Sequence, residues 1–379
     1  MYWPVVLVLI GILFLSQRYL FPSRYRLQRI ITPSTGPQTF YVSSIAEENG
    51  DGSQSHPFKT ITKAIDRGIS FNASSLKIIV KPGIYDENLY ISRNTSIEGQ
   101  GHPTLKCTIT NTQGHNLTLK SLKITEVIGK AITHYDGDLT INDVQVNNTK
   151  RIDGDYTSGR ALQIIGYNGI TNANLENVIL NNNEGQAIYI EGNFTKVKIN
   201  NIEVRGNKTN PNAYEDFDNS NVLKYLGAIE IGYAAKLFME NFTISDNEGI
   251  SFLVRDGGQT HIRKGMVTKS QTYEELLGFN CVVVDAGKLQ AHDFVFSHAT
   301  VCGIYLDNAY IKLVDGEISN NLIGLSIQEF PDSENYDVWG CIDPSVQFLN
   351  NVTRLDSSIL PIPSIDPVPP VCPDLVPWE

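Results

Sequence analysis

Seven side chains at successive repeats of the chain, Tyr189, Glu191, Glu230, Arg255, Asp256, Asp285 and Asp307, combine an aromatic ring, carboxylates and a guanidinium group. Sugar recognition calls for this mixture: a ring to lie against a pyranose face, and fixed polar groups to bond its hydroxyls. Glycoside hydrolysis needs two carboxyl groups roughly 5 to 10 Å apart. Glu230 and Asp256 are the candidates, with Arg255 beside them, and Tyr189, Glu191, Tyr305, Asp285 and Asp307 form the candidate binding set. The competing reading makes Glu191, Arg255 and Asp285 a solvated ladder in which neighbouring charges neutralise one another.

Two further groups carry other chemistries. Thr260-His261-Ile262-Arg263-Lys264 is the one dense basic run in the repeats. Elimination next to a uronate carboxylate needs a base, and a cation to hold the developing enolate, and Lys264 and Arg263 fit by type. The alternative is an ordinary exposed basic face. In His134-Tyr135-Asp136-Gly137-Asp138, with Asp153 and Asp155 in the insertion that follows, the oxygen density suits Ca2+, with Asp136 and Asp138 as ligands. A polar turn would look the same.

Such groups converge only if the chain stacks them. From residue 129 onward units of about twenty residues recur, beginning GKAITHYDGDLTINDVQVNN, GQAIYIEGNFTKVKINNIEVRGN and GIYLDNAYIKLVDGEISNN. Each reads as three short alternating strands parted by Gly, Asn or Asp. Strands this short bury no core alone, so the units must coil and stack, pairing each strand with its counterpart in the next coil. The expected fold is an all-β right-handed parallel β-helix. Its outward column runs through Thr133, Gln163, Tyr189, Glu230, Leu253, Val283, Tyr305 and Ser326, with Tyr135, Ile165, Glu191, Gly232, Arg255, Asp285 and Asp307 beside it. Asp143, Asn177, Asn201, Asn241 and Asp293 fall at one corner, and Asn147, Asn181, Asn247 and Asn320 at another, where side-chain ladders and left-handed backbone are expected. The insertion over 207–225, with Tyr214, Phe217 and Tyr225, would wall the face beside Glu230.

Ahead of the repeats, Tyr41-Val42-Ser43, the turn Asn49-Gly50-Asp51-Gly52, and His56-Pro57-Phe58-Lys59-Thr60-Ile61 with Ala64-Ile65 read as strand, turn and short amphipathic helix beginning at Pro57. This segment resembles the start of pectate-lyase-like β-helix proteins, most of all the family-nine polysaccharide lyases and their uncharacterised relatives. The resemblance covers residues 38–330. It implies a helix capping the solenoid, and, in family-nine lyases, Ca2+ held by clustered aspartates and a lysine base. The paired Asp-Asp cluster of those lyases is missing from this chain, as is the Gly-His-Gly signature of polygalacturonases, so neither role transfers to a numbered residue.

The formal charge of −11 over 379 residues disfavours nucleic acid as a partner. It would also repel an acidic polymer, unless a cation or a local Lys/Arg cluster intervenes. Residues 1–21 read as a signal peptide or membrane anchor, 22–38 as a linker, 39–350 as the β-helix, with a cap near Trp339, and 351–379 as a Pro-rich tail. The apolar run Val5 to Leu15 is shorter than a comfortable span. Arg18, Arg24, Arg26 and Arg29 after it favour a cytoplasmic body. Eight sequons, starting at Asn72, Asn94, Asn116, Asn147, Asn193, Asn207, Asn241 and Asn351, favour a secreted or extracytoplasmic glycoprotein instead. Cys341 and Cys372 could staple the tail, or all five cysteines could be buried hydrophobes. The expected protein is a monomeric, extracytoplasmic polysaccharide-binding solenoid, either a lyase or glycoside hydrolase, or a non-catalytic adhesion or scaffold protein binding glycans or proteins.

Overall fold

The computed structural model describes residues 35–155, 157–208, 227–272, 277–328 and 339–357. The anchor, most of the linker, Tyr214, Phe217, Tyr225, Cys372 and the end of the tail lie outside the described residues. Among the described ones no helix is long and apolar enough to cross a membrane.

From Leu117 to Ile327 each coil contributes one strand to each of two sheets, while the coils before it place two short strands in the larger sheet, as Thr95–Gly99 and Thr104–Leu105 do. One sheet is 14-stranded and the other 11-stranded among the described residues, and the strands pair in parallel throughout. The second and third strands expected in each coil are in fact one bent strand. Leu139–Asn147, for example, stays in register with Thr171–Asn181 on both sides of Asp143, which steps out of the pairing with φ +56°. Asn177, Asn201, Asn241, Lys264, Asp293 and Asp315 take the same left-handed conformation in later coils. The bend turns one strand around a corner and gives the coil its three sides. Asn and Asp suit the site because they tolerate this backbone better than other residues with a Cβ. Asn201 Nδ2 also donates to Asn177 Oδ1 at 2.7 Å, and Asn241 Nδ2 to Asn200 Oδ1 at 2.7 Å.

The second corner differs from expectation. Asn147 and Asn181 end their strands, while Asn320 has the left-handed backbone at φ +55°. Asn181 N donates to Asn147 Oδ1 at 3.2 Å, a rung of the expected ladder, and a second ladder lies inside, through Asn183, Asn207 and Asn247, all buried. Asn183 Nδ2 donates to Asn207 Oδ1 at 2.8 Å, and Asn207 Nδ2 to Asn247 Oδ1 at 3.1 Å. The same carbonyls also accept the backbone amides of Asn183 and Asn207. A buried corner cannot reach water, so its amides must be met from within.

Inward positions are filled by Ile, Leu, Val and Phe. One core row alternates Phe242, Gly265, Phe294 and Gly316 in successive coils. A Cβ on Gly265 would stand 2.2 Å from the Phe242 ring, and one on Gly316 2.1 Å from Phe294. Each glycine thus leaves room for the neighbouring ring.

The capping helix spans Ile61–Ser70 and buries Ile61, Ala64 and Ile65. It begins four residues later than Pro57. Thr60 is the N-cap, its hydroxyl accepting from Lys63 N at 3.2 Å, and the Glu87 carboxylate accepts the amides of Ile61 and Thr62 at 2.8 Å each. Phe58 is instead extended, bridging Val42. At the other end, Gln347–Leu349 and Thr353–Ser357 extend the two sheets, so the winding continues past residue 350. Trp339–Cys341 forms a 3-10 turn before this last coil, and Ile342 bridges Leu313. Cys341 is disulfide-bonded, whereas Cys107, Cys281 and Cys302 are free and buried.

Candidate functional site

The outer face of the 11-stranded sheet stacks Thr133, Gln163, Tyr189, Glu230 and Leu253 in register. Two residues along, it stacks Tyr135, Ile165, Glu191 and Gly232. Ahead of these strands, the backbone bonds Ala131 N to Arg160 O and Ala161 N to Gln186 O place Lys130, Arg160 and Gln186 at one position of three successive coils. Parallel stacking thereby assembles a polar cluster from residues some 25 to 40 apart in sequence.

The cluster is connected. Arg255 Nε and Nη2 both bond Glu230 Oε1, at 2.8 and 2.7 Å, and Arg255 also pairs with Asp256. The other Glu230 oxygen accepts from Gln186 Nε2. Gln186 Oε1 accepts from Arg160 Nε at 2.7 Å, and Arg160 Nη1 donates to Gln163 Oε1 at 2.7 Å. Gln163 Nε2 then donates to the Tyr135 hydroxyl at 3.0 Å. The guanidinium of Arg160 lies 4.1 Å from the centre of the Tyr189 ring. Glu230 is wholly buried, and Arg160, Gln186, Tyr189 and Glu191 are nearly so. Charge at this depth persists only where it is paired and bonded, as it is here.

A second knot surrounds Glu191, which accepts the hydroxyls of Tyr189, at 2.6 Å, and Tyr167. Burial and the neighbouring carboxylates push both phenols above their ordinary range, so they stay protonated donors. Tyr167 is 51% exposed and Tyr233 49% exposed. Each follows an Ile-Gly pair at a corner, with the coil of Glu191 between them, so two open rings flank one carboxylate at a separation of roughly 10 Å. Tyr233 lies 5.3 Å from Arg255. At the opposite edge, burial and the adjacent Arg160 cation pull the Lys130 ammonium below the usual lysine range. Arg160 is itself lowered by burial, against the pull of Glu230, while Glu230 and Asp256 raise Arg255 in spite of its burial.

Of the expected set, the structure brings together Tyr189, Glu191, Glu230, Arg255 and Asp256. It places the others elsewhere. Lys264 sits at the bend of the 14-stranded sheet, exposed, with Nζ 3.4 Å from Glu240 Oε1, and Arg263 pairs with the same carboxylate. It therefore belongs to a different face. Tyr305 is three coils from Glu230 and meets Phe279 edge-on at 5.6 Å in an apolar cluster with Leu253 and Val282. Val282, rather than Val283, holds the outward column, and Val284, paired with Asp307, takes the place expected for Asp285. Asp285 falls one residue later, at a left-handed corner. In Val282-Val283-Val284 every position is apolar and β-branched, so alternation carries no phase there. Asp136 Oδ1 accepts the amides of Tyr167 and Gly169 at 3.1 Å each, and Asp138 accepts from Asn172 Nδ2 at 3.1 Å. Asp136 thus holds the turn at 167–169 and Asp138 a strand residue of the next coil, and no group of three or more candidate metal ligands occurs among the described residues. Lys130, Arg160, Gln186, Tyr167 and Tyr233 were not anticipated. The repeated Ile-Gly-Tyr at 165–167 and 231–233 was the available sign for the two tyrosines.

No family model matches the sequence, and no curated protein does. In three dimensions the chain is similar to pectate lyase Pel9A, with a TM-score of 0.51 at 10% identity over 86% of this chain and 79% of that one. The fold is a pectate-lyase-like right-handed parallel β-helix. The A-module of mannuronan C-5 epimerase AlgE4 from Azotobacter vinelandii overlaps with a TM-score of 0.42 at 10% identity, over 79% of this chain and 92% of that one. The GH136 lacto-N-biosidase from Eubacterium ramulus overlaps at 0.32 and 11% identity, over 85% and 68%. At a tenth of the residues identical, the likeness is one of fold.

Proposed function

We propose that the chain binds polysaccharide outside the cytoplasm along the outer face of its 11-stranded sheet, from the coil of Lys130 to that of Arg255. The chemistry this face supports best is proton abstraction next to a sugar carboxylate, the opening step of β-elimination. The observation that carries the reading is the stacking of Lys130 on Arg160 at one corner. Elimination needs an amine that gives up its proton near neutral pH, and burial beside a guanidinium drives Lys130 that way. Arg160 donors not committed to Gln186 and Gln163 are suited to a substrate carboxylate. Tyr167 and Tyr233 supply ring faces for the flanking sugars. Pectate lyase Pel9A shares this fold, which agrees with the reading.

A second reading, binding without turnover, has its own support. Glu230 is closed by Arg255 and Gln186, and Glu191 by two tyrosines, so the carboxylates a hydrolase would use already have their bonds made. One experiment separates the two. Polyuronides incubated with the protein, with and without added Ca2+, should yield unsaturated ends absorbing in the ultraviolet, and Lys130→Met should abolish them. Binding that Tyr233→Ala weakens, with no such product, selects the second reading. Neither binding nor product across a broad glycan panel overturns both. Protease protection of the intact protein in membranes tests its side.

A further inference from the structure

The 14-stranded sheet carries a feature that the site above does not use. On its outer face Lys196, Lys236, Gln259, Lys288 and Tyr310 are register partners in successive coils. The adjacent row runs Lys198, Phe238, His261, Gln290 and Lys312. Parallel stacking sets Lys196 and Lys236, one coil apart, at about 5 Å, Lys236 and Lys288, two coils apart, at about 10 Å, and Lys196 and Lys198, in neighbouring rows, at about 7 Å. Like charges held this close on a sheet destabilise it. Several cations elsewhere in the fold are met by carboxylates, as in Lys77–Glu98, Lys106–Glu126 and Lys150–Glu184. Here Lys196, Lys198, Lys236 and Lys312 have no ion pair among the described residues; of the acids in the next row, Glu240 is already shared by Arg263 and Lys264, and Glu176 accepts from Asn142 Nδ2 at 2.9 Å. An uncompensated cationic strip on a chain of net charge −11 calls for an anion from outside.

We propose that this strip is a second binding surface, for an anionic polysaccharide carrying sulfate or uronate groups, on a different sheet from the Lys130–Arg255 site. The aromatic groups argue against a stacked nucleic acid strand. Arg263 lies 5.2 Å from the Phe238 ring centre and His261 meets that ring edge-on, while Lys288 lies 5.4 Å from the centre of Tyr310. Phe238 and Tyr310 are both part-buried, with a cation on one face of each, where single-strand binders present exposed rings. None of the exposed large apolar side chains falls in these rows, so nothing here would insert into a lipid surface. A linear anionic glycan needs only evenly spaced charge.

The test is titration of the full-length protein with heparin and with polygalacturonate at two salt concentrations. Comparison proteins are the triple variant Lys196→Gln/Lys236→Gln/Lys288→Gln and, separately, Lys59→Gln, a surface lysine outside the strip that pairs with Glu48. The expected result is salt-dependent binding of at least one of the two glycans, weakened about tenfold or more by the triple variant and unaffected by Lys59→Gln. Thermal melting of the triple variant at or above the wild-type temperature excludes misfolding. Equal binding of both glycans by the triple variant, the same loss with Lys59→Gln, or no binding of either glycan at low salt would each overturn the proposal. So would tighter binding of a single-stranded oligonucleotide or of phosphatidylserine vesicles through the same lysines.

Discussion

Glu230 is the residue on which the candidate site turns, because a wholly buried carboxylate keeps its charge only through Arg255 and Gln186. Removing it strands a mostly buried guanidinium. Glu230→Ala should cost about 3 to 5 kcal/mol in urea unfolding, whereas Asp256→Ala, at the exposed end of the same chain of bonds, should cost far less. Equal losses would mean that the network is not organised around Glu230. His134 makes a second residue-level prediction. It is buried, with Nδ1 3.0 Å from Asn111 Nδ2 and Nε2 3.1 Å from the Gly137 carbonyl, which fits a neutral ring donating from Nε2. Burial lowers its pKa in the folded state. The unfolded chain therefore binds the proton first as pH falls. This contribution to stability is complete above the unfolded value of about 6.5 and is lost as pH falls from there towards the lower folded value. Unfolding free energy measured between pH 8 and 5 should decline below that point, and His134→Gln should flatten the decline.

At the scale of the element, the coil is specified by its corners as much as by its strands. Asn207→Ala would leave Asn183 Nδ2 and the Asn183 amide without their acceptor, at about 1 to 3 kcal/mol. Gly316→Ala should destabilise by a similar amount, through its clash with Phe294. Combining it with Phe294→Leu should recover part of that loss in a double-mutant cycle. Full additivity of the two changes would show that the alternation of ring and glycine is incidental. The strands themselves were readable because their apolar alternation repeats coil after coil. The bend was readable from Asp143, Asn177, Asn201, Asn241 and Asp293; the continuity of the strand through it was not, since one left-handed residue steps out of the pairing without ending the strand.

For the whole molecule, the two sheets offer opposite kinds of surface. One carries a buried, internally paired polar cluster with open tyrosines at its edge, and the other rows of exposed and part-buried lysines that form no ion pair among the described residues. The sequons add a check on how the chain is handled in a cell. Asn94, Asn116, Asn193 and Asn241 are exposed, while Asn207 is a rung of the internal ladder. If the chain is glycosylated, mass spectrometry of the folded protein should find the modification at exposed sites and never at Asn207. A glycan at Asn207 would contradict the ladder.

The parallel β-helix, its period of about twenty residues, the first bend ladder and the joining of Tyr189, Glu191, Glu230, Arg255 and Asp256 followed from the sequence. Repetition amplifies a weak local signal, and stacking converts period into contact. The tertiary structure decided whatever depended on phase or on neighbours in other coils. Val282 to Val284 carried no alternation to set the register, so Asp285 left the column. Lys130 and Arg160 are thirty residues apart and become partners only when one coil lies on the next. For the same reason the lysine strip is invisible in the sequence: its members are separated by roughly twenty to fifty residues, and only parallel stacking brings their charges within a few ångströms.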